Sequence, residues 1–234
     1  IIESMSDPAR DPNLQRRAAV FAALGDPHRL AIVEALAFTD AAPSDLEVRL
    51  GIPSNLLAHH LDALEAVGLV RRTRSAGDGR RRYVQLSAVA SAHRLRPASI
   101  EAADVLFVCR HNSARSQFAA ACWNEHSSIP AESAGTRPAA CVHPMAVQAS
   151  AQRGLDLSGR APRGYDELRR APGLVISVCD LAFEEADPFI GVQHLHWSVS
   201  DPAARSERGA FDAAFDEIAQ RIDRLAPAVV APIT

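Results

Sequence analysis

The stretch Val105-Leu106-Phe107-Val108-Cys109-Arg110-His111-Asn112-Ser113-Ala114-Arg115-Ser116 constrains this chain more than any other. An apolar, β-prone run ends in a cysteine, five residues follow, and Arg115-Ser116 open a helical segment. In a strand–loop–helix of this kind, successive backbone N–H groups and the helix N-terminus close around an anion. Cys109 would sit beneath that anion as a nucleophile, with Arg115 gripping two of its oxygens in a bidentate fork. The pattern predicts a cradle for a tetrahedral oxyanion, phosphate or arsenate. Its walls would be Arg110, His111, Asn112, Ser113, Ala114 and Arg115.

What surrounds this run gives it specificity, because a bare Cys-x5-Arg arises readily by chance. From Asp104 onward, apolar β-like runs alternate with helical stretches. Strands are expected at 104–109, 131–135, 173–179 and 192–197, and helices at 114–127, 143–153, 180–186 and 207–225. Such alternation predicts a four-stranded parallel sheet with helices on both faces, which binds ligands at the strand C-termini where Cys109 lies. Asn112 and Ser116 offer short polar side chains to brace the loop and hydrogen-bond a thiolate. Asp201-Pro202, after the strand "VQHLHW", could bring a carboxylate to a leaving oxygen.

The first part of the chain differs in charge and pattern. All 25 basic residues among the 234 are Arg. Residues 1–96 hold 13 Arg against 11 acids, whereas the remainder holds 12 against 17. Six of those 13 fall between Arg71 and Arg82, with one Asp among them. Residues 13–37 read as helical, broken at Gly25-Asp26-Pro27, where Asp26 can cap and Pro27 occupy the first helical position. A third helix is expected over 43–50, stopped by Gly51, and a fourth from Pro53-Ser54 to about Val67. Strands at 69–74 and 81–86, joined by Ser75-Ala76-Gly77-Asp78-Gly79, complete a hairpin.

Helix, turn, helix and ribbon in this order describe a winged helix-turn-helix. The segments "ALGDPHRLAIVEAL" and "LEVRLGIPSNLLAHHLDALEAVGLV", with the Arg-rich hairpin, resemble the arsenical-resistance repressor (ArsR) family over residues 17–87. The resemblance implies that Ser54, Asn55, Leu56, His59 and His60 face the major groove of double-stranded operator DNA. Arg71, Arg72, Arg74, Arg80, Arg81 and Arg82 would meet phosphates, which position a protein while its groove helix specifies sequence. Only one of the adjacent His59 and His60 is expected to see DNA. Many relatives sense arsenite or metals in this domain. No cysteine precedes Cys109, however, and folding and DNA contact account for His28, His59 and His60 with Asp62, so no metal site is expected.

Residues 103–227 resemble the low-molecular-weight protein tyrosine phosphatase superfamily. "ESAGT", "VHPMAVQASAQRGLDLSG" and "VISVCD" match its arsenate reductase branch. The resemblance implies Cys109 as nucleophile, Arg115 as transition-state stabiliser and Asp201 as general acid. Tyrosine phosphatases of this type carry aromatics after the Asp-Pro; here Ala203-Ala204 follow, which disfavours an aryl phosphate. Thiol-coupled reductases carry a cysteine at the position of Cys179 and another seven residues on, which here is Ala186. The loop's own second cysteine is replaced by Ala114. Either Cys179 resolves a Cys109 adduct, or an external thiol of mycothiol, glutathione or thioredoxin type does; Cys179 also reads as a buried strand-end cysteine. Cys122 reads as core, and Cys141 lies in a polar loop.

Without a signal peptide or a long apolar span, the chain is expected in the reducing cytoplasm, with no disulfides and no bound cofactor. The expected organisation is a winged-helix DNA-binding domain over 1–87, a dimerisation helix and linker over 88–102, and a phosphatase-like α/β domain over 103–234. An arsenic-responsive repressor fused to a Cys-dependent arsenate reductase fits best, acting as a homodimer on operator DNA. Tyrosine phosphatase activity is one alternative. The other is a non-catalytic sensor of oxyanion or As(III), for which Cys109, Cys141 and Cys179 would supply the thiolates.

Overall fold

The computed structural model describes residues 11–87, 99–185, 188–204 and 207–232. The expected dimerisation helix therefore falls, up to residue 98, outside the described residues. The chain divides into two compact units. The first takes the described parts of Ile1–Ala37, Ala41–Arg72 and Val84–Arg96, and the second takes Phe38–Asp40, Thr73–Tyr83 and the described parts of Pro97–Thr234.

The first unit is helical: α1 (Pro12–Leu24), α2 (Pro27–Ala35), α3 (Pro43–Leu50) and α4 (Ser54–Ala66). Local chemistry sets these limits. Asp26 caps α2 by accepting from the Arg29 amide at 2.9 Å, with Pro27 in the first turn, where its missing N–H costs nothing. Gly51 ends α3 at φ 65°, a conformation L side chains avoid. Ile32, Val33, Leu46, Leu57, Leu61 and Leu64 fill the core between the helices. Strands β1 (Val70–Arg74) and β2 (Arg82–Leu86) form a two-stranded ribbon after α4. Each of these elements lies within two residues of its sequence expectation.

The second unit holds a four-stranded parallel sheet in the order β5-β4-β6-β7. These strands are Ala131–Gly135, Val105–Cys109, Leu174–Ser177 and Gln193–His196 respectively. Its helices are α5 (Arg115–His126), α6 (Pro144–Ala151), α7 (Asp180–Glu184) and α8 (Arg208–Leu225). β4 is apolar throughout because it is buried on both faces. Phe107 joins the larger core with Phe118, Trp123 and Phe215, while Leu106 and Val108 pack with Val175 on the other face. The rings of Phe118 and Phe215 stack at 4.0 Å, seating α8 on α5. Along α8 the buried residues Phe211, Phe215, Ile218, Ile222 and Leu225 recur at helical spacing, each contributing about 1.5–3 kcal/mol by burial. A second, two-stranded parallel sheet pairs β3 (Ile100–Glu101) with β8 (Val229–Val230); the sequence reading missed it. No described helix is long and apolar enough to cross a membrane.

Two short excursions complete this second unit. Asp40 lies in its interior, where both carboxylate oxygens accept from Arg221 at 2.9 and 3.0 Å. The Ser198 amide adds a third bond to Asp40 at 2.7 Å. Burial works against the Arg221 charge, but Asp40 and Glu217 outweigh it and raise its pKa. Residues 73–83 are held by α7: the Ala76 amide donates to Asp180 at 2.7 Å, and the Ser75 hydroxyl, Asp78 amide and Tyr83 hydroxyl all donate to Glu184. Burial, then the bond to Glu184, pushes the Tyr83 hydroxyl well above its ordinary pKa. A Cβ on Gly77 would run into the Glu184 carboxylate.

Candidate active site

Cys109 is the last residue of β4 and only 3% exposed. The loop after it owes its shape to backbone bonds from outside. The carbonyls of Cys109, Arg110, His111 and Ser113 accept from the amides of Thr136, Arg137, Ala139 and His143, at 2.8 to 3.2 Å. With its carbonyls pinned outward, the loop has its amides left for the centre. The Asn112 amide donates to Cys109 Sγ at 3.2 Å, and the Arg110 amide to Cys179 Sγ at 3.3 Å. No side chain caps the N-terminus of α5, so its first N–H groups stay available to a ligand.

One residue of this loop has an unusual backbone. Asn112 sits at φ 47°, and asparagine is among the few L residues that tolerate that region. Its buried amide group is engaged at both ends: Nδ2 donates to Ser116 Oγ at 2.8 Å, and Oδ1 accepts from Gln117 Nε2 and from the Arg163 amide, each at 3.0 Å. Because Ser116 Oγ accepts from Asn112, its own hydrogen is left for Cys109 Sγ, 3.0 Å away. Gly135, at the end of β5, makes room for the turn; a Cβ there would lie 2.8 Å from the Arg110 carbonyl and 2.9 Å from the Asn112 nitrogen. Both Asn112 and Ser116 were named from sequence, but the part played by Gly135 and by 136–143 was not, since neither is local to the motif.

Arg115 opens α5 and is 5% exposed. Its Nη1 donates to the Val199 carbonyl at 2.8 Å, and Nη2 faces Asp201 Oδ2 at 3.4 Å. Burial opposes its charge, yet Cys179, Cys109 and Asp201 together raise its pKa. The structure therefore brings Cys109, Asn112, Arg115, Ser116, Cys179 and Asp201 to one place. Cys179 is 1% exposed and lies past the end of β6, where it caps α7 by accepting from the Ala182 amide at 3.4 Å. Burial pushes its thiol up to about 11, with Arg115 opposing. Arg110 reaches away toward Glu185 at 3.6 Å, and His111 is exposed. Cys141 is exposed; Cys122 is buried in α5, where burial pushes its thiol up to about 11.

The residues expected to face DNA are partly rearranged. Ser54, Asn55, Leu56 and His59 are exposed on α4. His60 corrects the expectation: at about 100° per residue it turns inward from His59 and is 5% exposed. Arg72 is also engaged, paired with Asp62 at 2.7 Å and Glu65 at 3.1 Å. Arg71 donates to Gln85 at 2.8 Å. Arg74, Arg80, Arg81 and Arg82 are exposed on segment 73–83.

A parallel sheet with a buried cysteine at a strand end, a carbonyl-pinned loop and an arginine opening the next helix is the architecture of a phosphatase-type α/β domain. Residues 104–232, more than half the chain, match the model of the low molecular weight phosphotyrosine protein phosphatase family, and the chain belongs to that family. Residues 24–73 match a helix-turn-helix domain, so the chain joins a helix-turn-helix domain to a low-molecular-weight phosphatase-like one. Among solved structures, it is similar to an arsenate reductase from Archaeoglobus fulgidus at 33% identity, covering 53% of this chain and 99% of that one, TM-score 0.48. A thioredoxin-dependent arsenate reductase of Corynebacterium glutamicum is 27% identical, with 58% and 66% covered and a TM-score of 0.39. An Erwinia amylovora tyrosine phosphatase is 19% identical, with 54% and 93% covered and a TM-score of 0.47.

Proposed function

We propose that this protein reduces arsenate in its second unit and represses transcription through its helix-turn-helix. The single observation that carries the reductase reading is Cys179. A second sulfur accepts from the same loop that surrounds Cys109, which places a second thiol beside the nucleophile. In the reaction, the Cys109 thiolate attacks arsenate and an S–As bond forms. One arsenate oxygen departs as water with a proton supplied by Asp201. A second thiol then attacks Cys109 Sγ. The S–As pair stays on arsenic, which leaves as arsenite, and the two sulfurs form a disulfide. Arsenic gains the two electrons that the thiols lose.

Cys179 is the internal resolving thiol in this reading. An external reductant of mycothiol, glutathione or thioredoxin type would then reopen the disulfide. The alanines after Asp201-Pro202 support the choice of arsenate over an aryl phosphate, since they offer no ring to stack on. Arsenate-dependent thiol consumption by the full chain tests it. Activity is expected in the native protein and absent in Cys109→Ser. Hydrolysis of an aryl phosphate with no arsenate turnover would replace this reading with the phosphatase.

One observation favours a sensory role alongside turnover. Helix α7 begins at the residue after Cys179 and carries Asp180 and Glu184, the two carboxylates that hold segment 73–83 with its exposed arginines. A change at Cys179 reaches those arginines through one short helix of the same unit. Affinity for duplex DNA should then change when arsenate or arsenite is added to the native protein. Cys109→Ser should lose the response, and equal affinities throughout would eliminate the sensory role.

A further inference from the structure

Outside the cysteine site, the first unit holds a second cluster of ligating side chains, one of them the Asp26 that caps α2. Asp26, at the start of α2, has Oδ1 4.0 Å from His28 Nδ1 and 3.8 Å from His60 Nδ1. All three ligating atoms lie within 4.8 Å of one another. The two imidazoles stack with centroids 5.2 Å apart and planes 21° from parallel, which turns both Nδ1 atoms toward the same carboxylate.

His60 is the telling member. It is 5% exposed, and neither ring nitrogen has a hydrogen-bond partner. An orphaned polar group in an interior costs roughly 1–3 kcal/mol, so buried nitrogens are normally satisfied. Here the unsatisfied Nδ1 points at a carboxylate and a second imidazole, too far for direct hydrogen bonds. Asp62, the carboxylate that sequence sets beside His59 and His60, is taken by Arg72 instead.

We propose that Asp26, His28 and His60 bind a divalent transition-metal ion, zinc in the first instance, which ties the start of α2 to the helix after the turn. Two imidazole nitrogens and one carboxylate oxygen form the borderline donor set that zinc, cobalt and nickel accept. Tetrahedral zinc wants its donors roughly 3.3 Å apart, so the cluster must contract by under an ångström at its two shorter separations. His28, whose side chain is 53% exposed, is free to make that movement and leaves the fourth position open to water. Because His60 belongs to α4, which also bears the exposed Ser54, Asn55, Leu56 and His59, the ion would stiffen the DNA-reading helix.

Cobalt(II) titration of the full-length protein tests this, since its visible bands report tetrahedral ligation and its near-ultraviolet bands report sulfur. One equivalent is expected to give tetrahedral bands without sulfur-to-cobalt charge transfer, and zinc should displace it. Cys109→Ser should keep that signal. His28→Asn, at an exposed position, should weaken binding at least tenfold, roughly as expected for losing a ligand. Zinc should also raise the unfolding temperature of the native protein more than that of His28→Asn. A purely sulfur-ligated spectrum, no uptake at micromolar cobalt, or equal affinity in His28→Asn would each overturn the proposal.

Discussion

Asn112 is where the chemistry of the cysteine loop is concentrated in a single side chain. It holds a positive φ, shields its own amide in the interior and fixes the direction of the Ser116 hydroxyl. Replacing it with alanine leaves Ser116 Oγ, Gln117 Nε2 and the Arg163 amide each short of a partner, and adds αL strain of about 1–2 kcal/mol. Asn112→Ala should lose about 2–4 kcal/mol of stability in chemical denaturation, together with most turnover. Ser116→Ala is the cleaner probe of chemistry: it should fold normally and slow the Cys109 step roughly 10- to 100-fold, the loss spread over neutral pH rather than confined to KM. The thiols differ as sharply. Burial pushes the Cys179 and Cys122 thiols up to about 11, which disfavours their thiolates in the folded protein. Mass mapping after brief alkylation should find exposed Cys141 modified first, and Cys122 and Cys179 modified only as the pH rises toward that value or the chain unfolds.

At the scale of elements, the breaks and periods of the chain were legible wherever one local rule decided. Gly25-Asp26-Pro27 and Gly51 separate the first helices, and α8 shows its buried stripe plainly. The strand–loop–helix of β4 and α5 was legible for the same reason. The carbonyl clamp from 136–143, the close approach at Gly135 and the two-residue β3–β8 pair were not, because each depends on partners far along the chain. His60 shows the intermediate case: sequence says that one of two adjacent histidines turns inward, and only packing says which. Helix α7 makes a pH prediction of its own. Burial alone would raise the Asp180 pKa, but His196 at 3.1 Å, the Ala76 amide and Ser198 lower it below 3.8 overall. A depressed carboxylate stabilises the fold fully above its ordinary range and loses that contribution as pH falls through the lowered value. Asp180→Asn should therefore flatten the acid limb of stability measured by denaturation against pH.

At the scale of the whole molecule, the Asp40–Arg221 pair joins residues 181 positions apart inside one unit. Asp40→Asn leaves Arg221 buried with only Glu217 beside it, and loss of one partner of such a pair costs about 3–5 kcal/mol. The measured midpoint of urea unfolding should fall accordingly. Replacing Asp40 and Arg221 together with apolar residues should recover much of the loss.

The assignment of Phe38–Asp40 and Thr73–Tyr83 to the second unit bears on how this molecule can be dissected. A fragment beginning after residue 102 would carry Arg221, Asp180 and Glu184 but none of the groups that neutralise or saturate them from residues 40, 75, 76, 78 and 83. Poor behaviour of such a fragment would report these amputated interactions rather than an inactive catalytic site. Gene-splitting and domain-transplant experiments on this protein thus need the intact polypeptide as their reference.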